Sequence, residues 1–368
     1  MGKQERNIYA GGNTAKGYQH FYDSVLKGLD RVLILIGGTE QEISRLIATI
    51  GKEMSNRCLD VEWIHSPFVN DEYDGVMIPG LKTGVVNGNY PRSIHPKAPG
   101  VIETFVDLTP AILTEKLQGQ KTRIVELHEQ IAQSCQKAYD SFAQALQIHD
   151  EWEYFYINAL DRKKANDVTE ELGHMLLGEH SLPKKGRSRH MYFGAATPKG
   201  PVDHIQSLTA NLEKRYFIKG RPGSGKSTML KKLAAEAEQK GYDVEVYHCG
   251  FDPNSLDMLV IPERSVAIFD STAPHEYFPS RVGDEIVDMY ERTIEPGTDE
   301  KFAVELAEIK ERYSAKMKEG TGYLAEAKGM RDQLFAIYSQ ATDPKLLETI
   351  VHHTLAECIR MAEAATTE

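Results

Sequence analysis

The sequence is written twice. Sliding the 368-residue chain by 183 positions lays Arg6–Pro91 over Arg189–Pro274 without a gap. Matching pairs include Arg6/Arg189, Tyr9/Tyr192, Gly11/Gly194, Thr14/Thr197, Gly37/Gly220, Ser44/Ser227, Glu62/Glu245, Phe68/Phe251, Asp74/Asp257 and Pro91/Pro274. A weaker echo, displaced by 182, pairs Asp150, Tyr156, Ala159 and Asp161 with Asp332, Tyr338, Ala341 and Asp343. A long ungapped register means two copies of one fold. The boundary falls near Pro183–Ser188, giving domains over residues 1–183 and 184–368, each long enough to bury its own core.

Each copy alternates strand and helix. In the second, the β-branched and aromatic run Arg215–Lys219 is a strand, followed by a glycine-rich loop. A helix then places Leu230, Leu233, Ala234 and Ala237 on one face and stops at Lys240-Gly241. The strands Val244–Cys249 and Val266–Asp270 follow. The first copy repeats the order with Val32–Ile36, a helix carrying Leu46, Ile47 and Ile50, then Val61–His65 and Thr83–Asn87. Apolar strands separated by helices imply an α/β fold in which each domain has a mainly parallel sheet flanked by helices. From about Pro110 to Leu177, and again from about Asp299 onward, the composition turns helical. These extensions pack on each other or over the sheets, and their surfaces are where a protein partner would dock.

The loop Gly220-Arg221-Pro222-Gly223-Ser224-Gly225-Lys226-Ser227 carries the chemistry. Its spacing is that of a P-loop. The glycines let backbone N–H groups point inward around a phosphate, and the helix N-terminus adds partial positive charge. Lys226 is expected on the β- and γ-phosphates and the Ser227 hydroxyl on Mg²⁺, with Thr228 extending the polar start of the helix. Ser265-Val266-Ala267-Ile268-Phe269-Asp270 ends an apolar strand in a carboxylate, so Asp270 is the second metal-side acid. Asp252, after the second strand, stands at the edge where open α/β sheets bind ligands. It reads either as a catalytic base or substrate ligand, or as the turn residue of Asp-Pro-Asn. His275, close after Asp270, is a γ-phosphate sensor or a loop histidine.

The first copy serves as an internal control. Its loop reads Gly37-Gly38-Thr39-Glu40-Gln41-Glu42-Ile43-Ser44, with Ile43 at the lysine position and Asn87 in place of Asp270. A carboxylate about 4 Å from a phosphate charge is unfavourable by about 4 kcal/mol at an effective dielectric near 20. Glu40 and Glu42, with no lysine, therefore exclude a triphosphate. Features shared by both copies, such as Asp60/Asp243 and Pro91/Pro274, read as structural, while those confined to the second copy track the nucleotide. Arg92, Arg281 and Arg292 are the arginines that could act on a phosphate from elsewhere in the chain.

Composition closes off other classes. A net charge of −11 argues against broad nucleic-acid binding, which rests on basic residues neutralising phosphates. The run Lys184-Lys185-Gly186-Arg187-Ser188-Arg189 reads as a solvated linker. Cys58, Cys135, Cys249 and Cys358 form no CxxC pair, so neither a disulfide framework nor a zinc module is indicated. The longest apolar runs are strand-sized. Met1-Gly2-Lys3-Gln4-Glu5-Arg6 has no apolar signal core and lacks the hydroxyl residue of a myristoylation site. A cytoplasmic location follows as the expectation.

The strand, loop, helix and Asp-terminated strand resemble the P-loop NTPase superfamily. The whole chain is also similar to poorly characterised bacterial ATP-binding proteins built as tandem P-loop modules. That resemblance covers both halves, through the Asp-Val-Glu strand, the Asp…Ile-Pro stretch and the run Asp270-Ser-Thr-Ala-Pro-His275. It implies two tandem P-loop NTPase-like domains, the first degenerate, and ATP with Mg²⁺ at the second. Many hydrolytic members place a Glu after the Asp, whereas Ser271 stands here. The expected function is therefore an ATPase or ATP-dependent switch, with phosphoryl transfer to a small acceptor as the alternative. No Asn-Lys-x-Asp guanine-reading motif is present, which favours ATP.

Overall fold

The apolar runs of the central strands are buried because each six-stranded sheet carries a core on both faces. A computed structural model describes residues 4–365; the leader reading rests partly on Met1–Lys3, which lie outside the described residues. The first copy forms strands β1 (Glu5–Ile8), β2 (Gly11–Thr14), β3 (Gly17–His20), β4 (Arg31–Ile36), β5 (Val61–His65), β6 (Tyr73–Ile78), β7 (Thr83–Asn87) and β8 (Glu103–Asp107). The second forms β9 (Ser188–Tyr192), β10 (Gly194–Thr197), β11 (Gly200–Asp203), β12 (Lys214–Lys219), β13 (Val244–His248), β14 (Leu256–Ile261), β15 (Val266–Asp270) and β16 (Asp284–Asp288). The principal helices are α1 (Glu40–Asn56), α2 (Lys121–Ala159), α3 (Arg162–Leu177), α4 (Lys226–Gln239), α5 (Ala303–Ala341) and α6 (Pro344–Ala365).

Each copy builds a six-stranded sheet, in the orders β1-β5-β6-β7-β4-β8 and β9-β13-β14-β15-β12-β16, so one topology is used twice. Neighbours run parallel except at β6 and β14, which are antiparallel to the strands on either side. Strand–helix alternation does not supply this strand. It returns to its neighbour through the short turns Pro79–Leu81 and Pro262–Arg264, and a connection that short joins only antiparallel strands.

Alternate residues of the strands serve different cores. Leu33 and Leu35 pack on α1 with Leu46, Ile47 and Ile50, whereas Val32 and Ile34 turn inward to a core shared with Phe217, Met258 and Phe269 of the second copy. The two sheets therefore share one core, into which the short helices Tyr22–Val25 and Ile205–Thr209 also insert, and the long helices lie outside. Contact between the two copies is reciprocal. Arg6 donates to Glu245 at 2.7 Å, and the matching Arg189 donates to Glu62 at 3.1 Å. Tyr9 and Tyr192 exchange backbone hydrogen bonds of 3.0 Å. Phe21 stacks on His248, and the matching His204 lies against His65, with ring centroids 4.3 and 4.2 Å apart. Burial works against the Glu62 charge, yet Arg189 and Arg6 hold its carboxyl below the usual range.

The helical extensions cross between the copies. Val168, Leu172 and Leu176 of α3 pack on Leu230 and Leu233 of α4 in the second copy. Cys358 and Ala362 of α6 pack on α1 in the first. Between them α2 and α5 run antiparallel, each about 58 Å long at 1.5 Å per residue, joined by Leu127 and Ile131 against Ala327 and Leu334. All four cysteines are free, and Lys184 is paired with Asp243 and Glu263 at 2.8 and 2.6 Å. Among the described residues no helix is long and apolar enough to cross a membrane.

Candidate functional site

The glycine-rich loop joins the end of β12 to the start of α4. Gly223 and Gly225 take φ of +76° and +86°, a left-handed backbone that favours glycine. The Arg221 carbonyl is the hub of the turn. It accepts from Ser224 N at 3.2 Å, Ser224 Oγ at 2.7 Å and Lys226 Nζ at 3.0 Å. Lys226 Nζ also lies 3.5 Å from Asp270 Oδ2, while Asp270 Oδ1 accepts from the backbone and hydroxyl of Thr272 at 3.1 and 2.7 Å. Ser227 Oγ accepts from Leu256 N at 3.0 Å, fastening α4 to the start of β14. Pro222 lies half-buried in the loop and Thr228 is exposed on the first turn of α4. Gly220, Pro222, Gly223, Ser224, Gly225, Lys226, Ser227 and Asp270 thus converge at one sheet edge.

The first-copy loop has become helix. α1 starts at Glu40, whereas α4 starts at Lys226, the counterpart of Ile43. Thr39 and Glu42 form a reciprocal capping box, so a carboxylate of the chain itself sits on the helix N-terminus where an anion would bind. The glycine cradle is thus absent there, in addition to the unfavourable charge. Ser44 keeps the bond equivalent to that of Ser227, accepting from Tyr73 N at 2.9 Å, so this contact belongs to the frame of both copies.

A residue that sequence contrast sets aside joins the second-copy site. Met258 pairs with Phe269 in the antiparallel ladder, so one further step sets Asp257 opposite Asp270. Period-two alternation aims both at the α4 face, the side of Leu259 and Ile268. Burial, and then the charge of Asp270, push the Asp257 carboxyl up to about 7, against the hydrogen bond from Cys249 and the charges of His275 and Lys226. By sequence contrast alone, the identity of Asp257 with Asp74 would mark it as structural. Only the partners differ. In the first copy Asp74 and Arg92 are 1% and 2% exposed, and the Arg92 guanidinium lies 2.7 Å from Asp74 and 2.8 Å from Glu40.

The other candidates are placed as follows. Asp252 closes its own turn, accepting from Asn254 N at 3.1 Å and Ser255 Oγ at 2.8 Å, with Lys16 of the first copy 4.0 Å away. His275 Nδ1 bonds Asp203 at 2.8 Å. Arg281 donates to the carbonyls of Thr209, Ala210 and Leu212, each at 2.7 Å, and Arg292 pairs with Glu171 at 2.5 Å. Arg92 is locked inside its own copy. These three arginines are thus held by partners away from the loop.

What does reach the loop from the first copy is α2. A Cβ on Gly223 would lie 2.7 Å from the Glu153 carbonyl oxygen and 3.1 Å from Ile157 Cγ1. Tyr156 donates to Asp299 at 2.7 Å, and Asp299 accepts from Arg221 of the loop at 2.8 Å. His149, Asp150 and Glu153 on this helix bring ligand atoms within 4.8 Å of one another, a group that could hold a metal. Ser227, Asp270 and Asp257 offer oxygen donors only, the kind that Mg²⁺ takes. Comparison with protein-family models, curated proteins and solved structures found no match to this chain.

Proposed function

We propose that the second copy is a P-loop site for a nucleoside triphosphate, ATP favoured, with Mg²⁺, and that the chain is an ATPase or ATP-dependent switch. One observation carries this: a glycine turn at positive φ opens helix α4, with Lys226 Nζ 3.5 Å from Asp270. The glycine amides and the α4 N-terminus favour phosphate oxygens. Lys226, which donates to the Arg221 carbonyl, would turn to the β- and γ-phosphates, and Ser227 and Asp270 would hold the metal. Bound magnesium supplies charge neutralisation to the phosphates. Ser271, at the position where a water-activating carboxylate would stand, is fully buried and donates to the Tyr277 carbonyl at 2.7 Å. It cannot act as a base, so no carboxylate activates water from that position.

Binding of a fluorescent ATP analogue to Lys226→Ala tests the reading: affinity should collapse, and wild-type affinity in the variant would overturn it. In the same assay, Ile43→Lys should create no second site, because the first loop is helical.

Phosphoryl transfer is the second reading, favoured by a cavity of about 440 Å³ between α4 and β13, lined by Lys231, Ala234, Val246, His248 and Leu256 among others. In the first copy the same place is filled. Trp63 stands for Val246, Tyr73 for Leu256, and the Trp63 ring occupies the space beside Gly51. Turnover that depends on an added small acceptor would favour this reading over a switch. Tyr154 and Val304, exposed on α2 and α5, mark the surface for a protein partner. The free thiols suit a reducing cytoplasm.

A further inference from the structure

The two copies solve one electrostatic problem differently. In each, a strand antiparallel to its neighbour brings an aspartate to the carboxyl edge of the sheet, next to the helix that follows the loop. In the first copy Asp74 faces Asn87, which is neutral and donates to Glu40 at 3.0 Å. A cation is also supplied by the chain: Arg92 bridges Asp74 and Glu40 with 0% exposure of its side chain. In the second copy the strand partner is Asp270, a second carboxylate. Cross-strand neighbours have Cβ atoms about 5 Å apart, so the two charges repel. The residue replacing Arg92 is His275, whose Nδ1 is engaged by Asp203 at 2.8 Å. Lys226 reaches Asp270 at 3.5 Å, and among the described residues no ion pair to Asp257 is formed.

We propose that Asp257 is a metal ligand of the second-copy site, joining Asp270 and Ser227 around the divalent cation that accompanies the triphosphate. The place that a guanidinium holds permanently in the first copy is filled by a diffusible ion in the second. The geometry suits it. Leu256 N is hydrogen-bonded to Ser227 Oγ, which fixes the neighbouring Asp257 against the first turn of α4. Two carboxylates and a hydroxyl are hard oxygen donors that leave positions for water and phosphate oxygens. This rests on the nucleotide reading and deepens it. It also separates Asp257 from its twin: the residue is identical in both copies, and its partner decides whether it is structural or functional.

The test uses the full chain, with nucleotide binding read by a fluorescent ATP analogue across a Mg²⁺ titration, and Mn²⁺ binding followed by its electron paramagnetic resonance signal. Asp257→Asn should raise the Mg²⁺ concentration for half-maximal binding at least about tenfold, while metal-free nucleotide binding holds or tightens, because a carboxylate facing the phosphates has been neutralised. Its melting temperature without ligand should hold or rise, since a repulsion is removed, whereas a structural role would lower it. An unchanged Mg²⁺ and Mn²⁺ requirement overturns the proposal. If Asp257→Asn does not fold, Asp257→Glu displaces the carboxylate by one methylene and is judged on the same requirement. Lys226→Ala separates the two claims. If it loses nucleotide while Asp257→Asn behaves as wild type, the nucleotide site stands and the Asp257 assignment falls; if wild type binds no nucleotide, both fall.

Discussion

Gly223 and Gly225 both adopt left-handed φ, yet only Gly223 lies against a neighbouring helix, so alanine at each position separates backbone strain from the α2 contact. At Gly225 the nearest non-local atom to an added Cβ is a Leu160 methyl at 3.9 Å. Gly225→Ala therefore pays only for a left-handed non-glycine residue, about 1–2 kcal/mol. At Gly223 the added Cβ would sit 2.7 Å from the Glu153 carbonyl and 3.1 Å from its Cα, backbone atoms of a helix that cannot rotate aside. Overpacking of this kind adds about 1–3 kcal/mol. The difference between the variants should appear in α2 as opening of the Glu153–Ala159 segment. Native-state hydrogen exchange reads it directly, and amides there should exchange about 5- to 150-fold faster in Gly223→Ala than in Gly225→Ala. Equal exchange in the two would refute the reading that the first copy's helix roofs the loop.

Arg92→Leu should destabilise the chain by about 3–5 kcal/mol, because it strands the Asp74 carboxylate in the interior, while ATP affinity stays as in wild type. Thermal melting alongside the binding assay checks this, and lost turnover without lost stability would instead make Arg92 an arginine finger. Burial holds the His248 imidazole down at about 4, below its ordinary 6.5. Below pH 6.5 the unfolded chain takes up a proton that the fold refuses, so stability falls as pH drops toward 4. Melting temperature should decline less steeply over that window in His248→Gln than in wild type, and identical slopes would contradict the assignment.

The strands flanking the loops and the glycine pattern were legible in the sequence because each is set by local spacing, and the repeat because its register runs from Arg6 to Pro91 without a gap. β6 and β14 were not, since the short turns at Pro79–Leu81 and Pro262–Arg264 break strand–helix alternation without leaving a helix-sized gap. Charge at Glu40 and Glu42 was readable as hostile to phosphate. The extension of α1 back to Glu40 was not, because it depends on Thr39 and Glu42 capping each other. Asp257 was concealed by its identity with Asp74: sequence shows the residue, whereas the change from Arg92 to His275 acts through space. The placement of α2 over Gly223 needs the packing of both copies and has no local signature.

The exchanged helices give the chain a further property. Severing it near residue 183 would separate two sequence repeats but not two folding units. The first fragment would keep α3, whose Leu172 and Leu176 belong to the second sheet's core, and would lose α6, which covers its own α1. Each piece would expose an apolar helix and an uncovered face that only the other piece matches. The unit of stability is therefore the pair, and a ligand that tightens one loop acts on a structure whose two halves hold each other's outer layer.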